Sequence, residues 1–255
     1  MPELPDLQVF SRNLQRSLSG KKVNKILIGK GAKLNVTAAV VKRTLEGQKL
    51  QKVFREGKEL RLSFGKHILG IHLMLRGKLY WIDDKPKPHT LLEIDFGEKK
   101  LGLTDYQRNA RVSLNPEISP VPDALSARAN LSFWKEILQS RATIKNILLD
   151  QHNIRGIGNA YADEILWRAG ISPFSIGKEI PLAKIKSLVR SVKQVLKSAE
   201  KQIAKKEPHI IGGEVRDFLL IHNAGRKTSP NGKKILQKSA GGRKTYYTAE
   251  QELFS

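Results

Sequence analysis

The chain of 255 residues contains no cysteine. That absence excludes disulfides, thiolate nucleophiles and every zinc or iron–sulfur site that depends on Cys ligands. Acidic residues are scarce too: 24 Asp and Glu stand against 46 Lys and Arg, for a net charge of +22. A field of that sign makes a phosphate polymer the expected partner. Long hydrophobic runs are also missing. The strongest, residues 68–75, is too short to span a bilayer and contains His72. No exposed apolar helix face or lipidation signal supports the rival partner, an acidic membrane surface. Where a signal peptide would need apolar residues the chain has Glu3, Asp6, Arg12 and Arg16. An intracellular location, cytoplasmic or at the nucleoid, is therefore expected. The length suffices to bury a sizeable core in one large or two modest domains.

What is present falls into two regimes. Up to about residue 125 the pattern is mainly that of strands, at residues 23–28, 60–64, 68–75, 78–82, 91–96 and 112–114, separated by Gly, Pro and Asp turns. Such spacing suggests a sandwich or barrel. Residues 7–18 are amphipathic and predict an N-terminal helix. Residues 115–122 are rich in proline and read as a linker. From Ser132, a plausible N-cap, the period becomes helical, and helices are expected at residues 133–139, 144–150, 160–169 and 181–206. The last carries Lys186, Arg190, Lys193, Lys197 and Lys201 on one face, either a solvated stripe or a binding surface. From Gly225 the chain is basic, with no acid until Glu250, and two β-prone stretches around Gly241-Gly242 predict a hairpin. A lone hairpin is marginal in water, so it should dock on a neighbour. No internal repeat or low-complexity segment is present.

Two local motifs carry chemistry. Met1-Pro2-Glu3 places a carboxylic acid beside what becomes, once Met1 is removed, a free secondary amine. Such an amine forms a cationic iminium on attacking a sugar C1′, and the neighbouring acid can move the protons required. The stretch Asn153-Ile-Arg-Gly-Ile-Gly-Asn-Ala-Tyr-Ala162 lies between two predicted helices. A glycine turn leading into a helix N-terminus suits a phosphate, although it serves equally as an ordinary helix–helix turn. It is not a dinucleotide fingerprint, since a helix precedes it and the third glycine is missing.

The opening Pro-Glu-Leu-Pro, the Gly-Ile-Gly-Asn-Ala-Tyr-Ala-Asp-Glu turn and the terminal Gly-Gly-Arg-Lys-Thr-Tyr-Tyr occur in this order, and together they resemble the formamidopyrimidine-DNA glycosylase/endonuclease VIII family. The resemblance covers essentially the whole chain. It implies an α+β fold with an N-terminal β-sandwich and N-terminal helix (residues 1–125), a helical helix-two-turn-helix domain (126–220) and a β-hairpin finger (221–255). It implies a bifunctional enzyme of base-excision repair, a DNA glycosylase and lyase. Pro2 matches the nucleophile that forms the Schiff base, Glu3 the assisting acid, and Lys58 the lysine beside the lesion's sugar and phosphate. Asn159 matches the asparagine that grips the lesion phosphate, and Arg243 the arginine at the finger's tip. His72, His89, Arg108, Arg141, Lys145 and Gly158 fall at further DNA-contacting positions. Leu75 lies where the family inserts a wedge, with strand-interior core as an equal alternative. The implied partner is damaged DNA, double- or single-stranded, bound by a monomer without cofactor or metal.

Departures from the pattern shape the substrate. The four finger cysteines are replaced by Thr228, Asn231, Thr248 and Gln251, which resembles the zincless finger of some members. Asp105-Tyr-Gln-Arg-Asn-Ala110 lacks the family's aromatic wedge, replaced by Asn109, and has Gln107 for an arginine that reaches the orphaned base. The segment 217–226 is short where 8-oxoguanine-specific members fold a loop over the extruded purine. Oxidised pyrimidines, ring-opened purines or hydantoins are thus expected over 8-oxoguanine. Asp6 replaces a family glutamate. Two rival functions remain open: a catalytically silent relative that binds damaged DNA, and a generic basic scaffold. The latter does not explain Pro2, Glu3, Lys58 and Asn159 together.

Overall fold

The computed structural model describes residues 1–240 and 242–255, with Ala240 described in its backbone alone. Gly241, half of the Gly-Gly pair at the expected hairpin turn, lies outside the described residues. The chain divides into two compact units, residues 1–118 with 203–214 and residues 119–202 with 215–255.

The first unit begins with helix α1 (Leu4–Leu18). Leu7, Phe10, Leu14 and Leu18 recur at helical spacing and are fully buried. Strands β1 (Lys25–Ile28) and β2 (Lys33–Leu34) precede helix α2 (Ala38–Leu45), which is capped by the Thr37 side chain accepting from Val40 N–H. Seven strands follow: β3 (Lys52–Glu56), β4 (Glu59–Phe64), β5 (His67–His72), β6 (Lys78–Ile82), β7 (Thr90–Asp95), β8 (Lys100–Thr104) and β9 (Arg111–Leu114). They form two sheets, in the orders β1-β7-β8-β6 and β2-β9-β5-β4-β3, antiparallel throughout except for the β2–β9 pair. One apolar core draws on both sheets and on α1, from Leu60, Ile71 and Val112 to Ile94, Leu101 and Leu103. The expected sandwich and N-terminal helix are therefore present.

Four elements of this unit, β2, β3, β8 and α2, occupy stretches where the sequence predicts nothing regular. In β8 the alternation is broken by Gly102, which has a packing reason. A Cβ there would lie 2.5 Å from the Tyr80 ring of the paired strand. The strand expected over residues 68–75 stops at His72, because Met74 turns into the left-handed region at φ 52°.

The second unit holds α3 (Leu131–Ile137), α4 (Ile144–Leu149), α5 (Asn159–Ala169), most of α6 (Leu182–Lys206) and a hairpin, β10 (Leu236–Ala240) with β11 (Arg243–Tyr247). The N-cap of α3 is Asn130, not Ser132, since the Asn130 side chain accepts from Phe133 N–H at 3.1 Å. Gly170 ends α5 in the left-handed conformation at φ 67°. The hairpin docks within this unit as its marginal stability alone requires. Tyr247 meets Phe174 edge-on at 5.0 Å, Lys238 lies over the same Phe174 ring, and Tyr246 meets His222 at 4.8 Å.

The division differs from three consecutive domains cut near residues 125 and 220. The hairpin belongs with the helices it packs on, and residues 203–214 belong with the first unit. Ile211 is part of the first unit's core with Ile210 packed against it, Asn13 donates to the Ile210 carbonyl at 2.8 Å, and Gly212 lies so close to Leu79 that a Cβ would meet its carbonyl oxygen at 2.1 Å. The linker expected over residues 115–122 does contain the break between the units. No described helix is long and apolar enough to cross a membrane.

Candidate active site

In the first unit the chain start is held by main-chain geometry. Glu3 is the N-cap of α1, extended at φ −111°, and it forms a capping box with Asp6. The Glu3 N–H donates to Asp6 Oδ2 at 2.8 Å, and the Asp6 N–H donates back to the Glu3 side chain. Pro5 stands in the first helical turn, where its missing N–H costs no hydrogen bond. Pro2 is buried, Glu3 is 4% exposed and Asp6 fully buried. The Met1 ammonium bonds Glu214 Oε1 at 2.5 Å. Asp6, which departs from the family's glutamate, therefore has a visible job: its short side chain closes the box that orients Glu3.

Helix α1 is in turn stitched to the next elements. Gln15 Oε1 accepts from Val53 N–H of β3, and Gln8 Oε1 accepts from Arg55 Nε, whose Nη1 donates to the Gly57 carbonyl. Gly57 and Lys58 form the two-residue turn between β3 and β4, with Gly57 at φ 59° in the position that requires glycine. Lys58 is thus carried by a turn tied to the helix whose start is Glu3. The β4–β5 register sets Glu59 opposite His72, and the β5–β9 register sets Arg111 opposite it. Burial, then the charges of Lys58 and Arg111, lowers the His72 pKa from 6.5 to about 4. His72 is neutral at pH 7. Its Nδ1 accepts from Met74 N–H at 3.1 Å, so the proton sits on Nε2, which remains a donor.

The loop after β5 presents Leu75 at 57% exposure. Strand-interior core, one of its two readings, is excluded. Gly77 is required there, since a Cβ would meet the Leu73 carbonyl oxygen at 2.3 Å. A second loop is organised by Asp105, 1% exposed, whose Oδ1 accepts from Gln107 N–H and whose Oδ2 accepts from Asn109 and Ala110 N–H, each at 2.8–3.0 Å. Arg108 (φ 54°) and His89 (φ 59°) are exposed, and the His89 carbonyl accepts from Asp105 N–H. Asn109 accepts from Lys33 Nζ at 2.9 Å. The same loop exposes Tyr106 to 57%, with the Arg76 guanidinium 6.0 Å from its ring. Sequence reasoning registered the lost wedge at Asn109 and missed this aromatic, although Tyr106 is visible in the same hexapeptide.

In the second unit the turn between α4 and α5 is stapled by Gln151. Its Nε2 donates to the Leu149 and Ile157 carbonyls and its Oε1 accepts from Gly156 N–H. Gly156, at φ 102°, is the glycine whose conformation excludes other residues. Gly158 is the N-cap of α5 and contributes no capping side chain of its own to the positive end of the helix dipole. Asn159 Nδ2 donates to the Lys244 carbonyl of β11 at 2.9 Å, while its buried Oδ1 has no partner, alone among the described residues. An orphaned buried acceptor costs about 1–3 kcal/mol.

Lys145, expected to contact DNA, faces inward instead. It is 5% exposed, and its Nζ donates to Asp163 Oδ1 at 2.6 Å and to Thr245 Oγ1 at 2.8 Å. Asp163 Oδ2 accepts from His222 Nδ1 at 2.7 Å and from Tyr246 N–H at 3.0 Å. This buried carboxylate therefore joins α4, α5, the segment after α6 and β11. Glu164 does the same for the short segment 217–226, accepting from Leu220, Ile221 and His222 N–H. Burial raises its pKa against those bonds. Asp163 and Glu164 stand in the Asn-Ala-Tyr-Ala-Asp-Glu motif, so a signal for them existed without a role attached. Arg141, ahead of α4, and Arg243, at the start of β11, are exposed. A cavity of about 500 Å³ between α5 and α6, lined by Tyr161, Trp167, Lys197 and Leu219, holds none of the expected site residues.

The four positions matched in the sequence to finger cysteines, Thr228, Asn231, Thr248 and Gln251, do not suit a metal. Thr248 N–H donates to Gln251 Oε1 at 2.8 Å, Gln251 Nε2 donates to the Ile171 carbonyl, and Thr228 pairs with Lys234 across a backbone bridge. The side chains at these positions are amides and hydroxyls and offer no thiolate or imidazole.

Comparison with known proteins accords with these features. Residues 1–112 match the formamidopyrimidine-DNA glycosylase N-terminal domain, and residues 121–207 match the formamidopyrimidine-DNA glycosylase H2TH domain. A protein of Pelotomaculum thermopropionicum named formamidopyrimidine-DNA glycosylase is 31% identical, with 97% of each chain covered. One of the same name from Arabidopsis thaliana is 29% identical over all of this chain and 72% of its own. A crystal structure of Lactococcus lactis Fpg in complex with DNA containing an abasic site superposes with a TM-score of 0.87 at 25% identity, covering 98% of this chain and 100% of that one.

Proposed function

The chain belongs to the formamidopyrimidine-DNA glycosylase family, and from that premise we propose that it excises oxidised bases from DNA and then cleaves the strand, with the Pro2 amine as nucleophile. Removal of Met1 frees that amine. Its attack on C1′ of the damaged nucleotide breaks the glycosidic bond, and the departing base takes up a proton. Loss of the amine's proton gives a neutral aminal, and breaking of its C1′–O4′ bond, with O4′ taking up a proton, opens the sugar to a cationic iminium. Glu3 supplies the proton for ring opening and base departure. Removal of a C2′ proton then breaks the C3′–O bond, and β elimination, or β,δ elimination, releases the strand ends.

The observation that carries this reading is the capping box. Glu3 is buried beside Pro2 and fixed in orientation by Asp6, as a group that must meet one sugar requires. It also gives Asp6, one of the substitutions with Gln107 and Asn109 that keep a catalytically silent relative open, a part in orienting Glu3. Lys58 and Arg243 would hold phosphates flanking the lesion, with His72 adding a neutral N–H. The N-terminus of α5, with Asn159, would take the lesion phosphate itself. Leu75 and Tyr106 would fill the gap left by the flipped nucleotide. His89, Arg108 and Arg141, all exposed, would contact backbone, whereas Lys145 would act by holding the hairpin in place.

The short segment 217–226, tied down by Glu164, supports a preference for oxidised pyrimidines, ring-opened purines or hydantoins over 8-oxoguanine. Borohydride reduction in the presence of abasic-site DNA tests the mechanism. The processed wild type should give a covalent adduct that Pro2→Gly loses and that any N-terminal extension abolishes. An adduct of undiminished yield from the extended protein would overturn the role of Pro2.

A further inference from the structure

Around the positions of the missing cysteines a single carboxylate gathers four donors. Glu250 Oε1 accepts from Asn231 Nδ2 at 2.8 Å, and its Oε2 accepts from Thr248 Oγ1 at 3.0 Å, Ser229 Oγ at 3.2 Å and Trp167 Nε1 at 3.4 Å. Ser229 and Asn231 lie in the turn before β10, Thr248 directly follows β11, and Trp167 belongs to α5. One side chain thus joins both feet of the hairpin to each other and to the helix beneath. A tetrahedral metal site does this in a zinc finger by taking two ligands from each foot. The chemistry here is inverted, an anion at the centre with N–H and O–H donors around it. An indole and an amide NH₂ offer no lone pair to a cation, so the group is complete without one.

We propose that Glu250 is the positioning residue of the finger, an anionic hub that fixes the two feet of the hairpin and thereby the place of Arg243. All four donors are neutral, so the hub should be indifferent to chelators and nearly so to salt. The charged groups facing it are Arg168 and Arg190, which share with Glu250, Asn231 and Trp167 a cavity of about 570 Å³. The hydrogen bonds, that of Asn231 foremost, hold the Glu250 pKa below its ordinary value. The anchoring is therefore complete above the ordinary carboxylate range and is lost as pH falls through the lowered value.

Its consequence for DNA rests on the proposed role of Arg243, so the test separates the two. Glu250→Gln keeps the shape and places an amide where the donors converge. In the protein without DNA, the ¹H–¹⁵N indole resonance of Trp167, one of three tryptophans, should shift in the variant. It should move with acid in the wild type and not in the variant. Amide exchange should accelerate at least tenfold in residues 228–252 and nowhere else. On duplex carrying a stable abasic-site analogue, Glu250→Gln should weaken binding several-fold, with no further loss in an Arg243→Ala background. An unmoved indole resonance with unchanged exchange overturns the hub. A disordered hairpin that binds DNA normally, or losses that add in full to those of Arg243→Ala, overturn its link to Arg243.

Discussion

The two units hold their candidate site residues by different means. In the first, most candidates are set by devices a few residues long: the Glu3–Asp6 box, the Gly57–Lys58 turn, the left-handed Met74 before Leu75, and the Asp105 loop. These ride on a continuous apolar core in which most side chains are under 2% exposed. In the second, the turn before Asn159 has its own local Gln151 staple, but the segments around it are joined by buried charge. Asp163 joins residues 18, 59 and 83 positions away, and Glu164 reaches 56 to 58 positions along the chain. Local devices tolerate loss one at a time, because the core beneath remains. A buried carboxylate that joins four segments does not, because each orphaned partner stays desolvated. The chain end proposed to be catalytic is accordingly built on the robust side, and the elements proposed to grip phosphate on the side where one change loosens several segments.

The largest expected effect breaks the second unit. Asp163→Ala leaves the Lys145 ammonium buried without its counter-charge and should cost about 3–5 kcal/mol in urea unfolding. Glu3→Ala, which removes a cap, should cost only about 0.5–2 kcal/mol. Equal costs would erase the contrast between the units.

A second effect appears with acid in the first unit. Because the His72 pKa is lowered from 6.5 to about 4, the native state binds the proton less readily than the unfolded chain. Stability is full above pH 6.5 and falls as pH drops toward 4, by about 2–3 kcal/mol for this group. His72→Gln, which cannot titrate, should flatten that part of the pH–stability curve, and an unchanged slope would place the titration elsewhere.

The smallest effect concerns the exposed apolar pair. Leu75→Ala and Tyr106→Ala should each leave unfolding free energy within about 0.5 kcal/mol, since neither side chain is buried. Tyr106→Ala should still weaken binding to abasic-site DNA by about 1–3 kcal/mol if the ring stacks on a base. Loss of stability in place of affinity would return Tyr106 to a structural role.

Much of the fold was legible because its signals are local. The amphipathic stretch at residues 7–18, the strand alternation of β4, β6 and β7, and the change to helical period near residue 132 all involve neighbours within one or two turns. The missed elements are short or carry charge among their apolar positions, as in Lys-Val-Phe-Arg-Glu of β3. The N-cap of α3 went to Asn130 because an Asn side chain two positions earlier could reach Phe133 N–H. Leu75 could not be decided from pattern, since one apolar residue at a strand end is buried or exposed according to where the backbone turns. The burial of Lys145 is not legible in the sequence because a lysine ordinarily faces water, and only a carboxylate eighteen residues away turns it inward.

By itself the sequence determined the chemical inventory: an amine that can be freed beside an acid, an excess of 22 positive charges, and no thiolate for a metal. Those are properties of composition and of adjacent residues, and folding does not alter them. Tertiary structure decided which polar groups meet. That Lys145 serves Asp163, that Glu250 collects donors from both feet of the hairpin, and that residues 203–214 complete the first unit's core all depend on segments far apart in the chain. Local periodicity carries no record of such meetings. They follow from the demand that every buried polar group find a partner and every apolar face be covered.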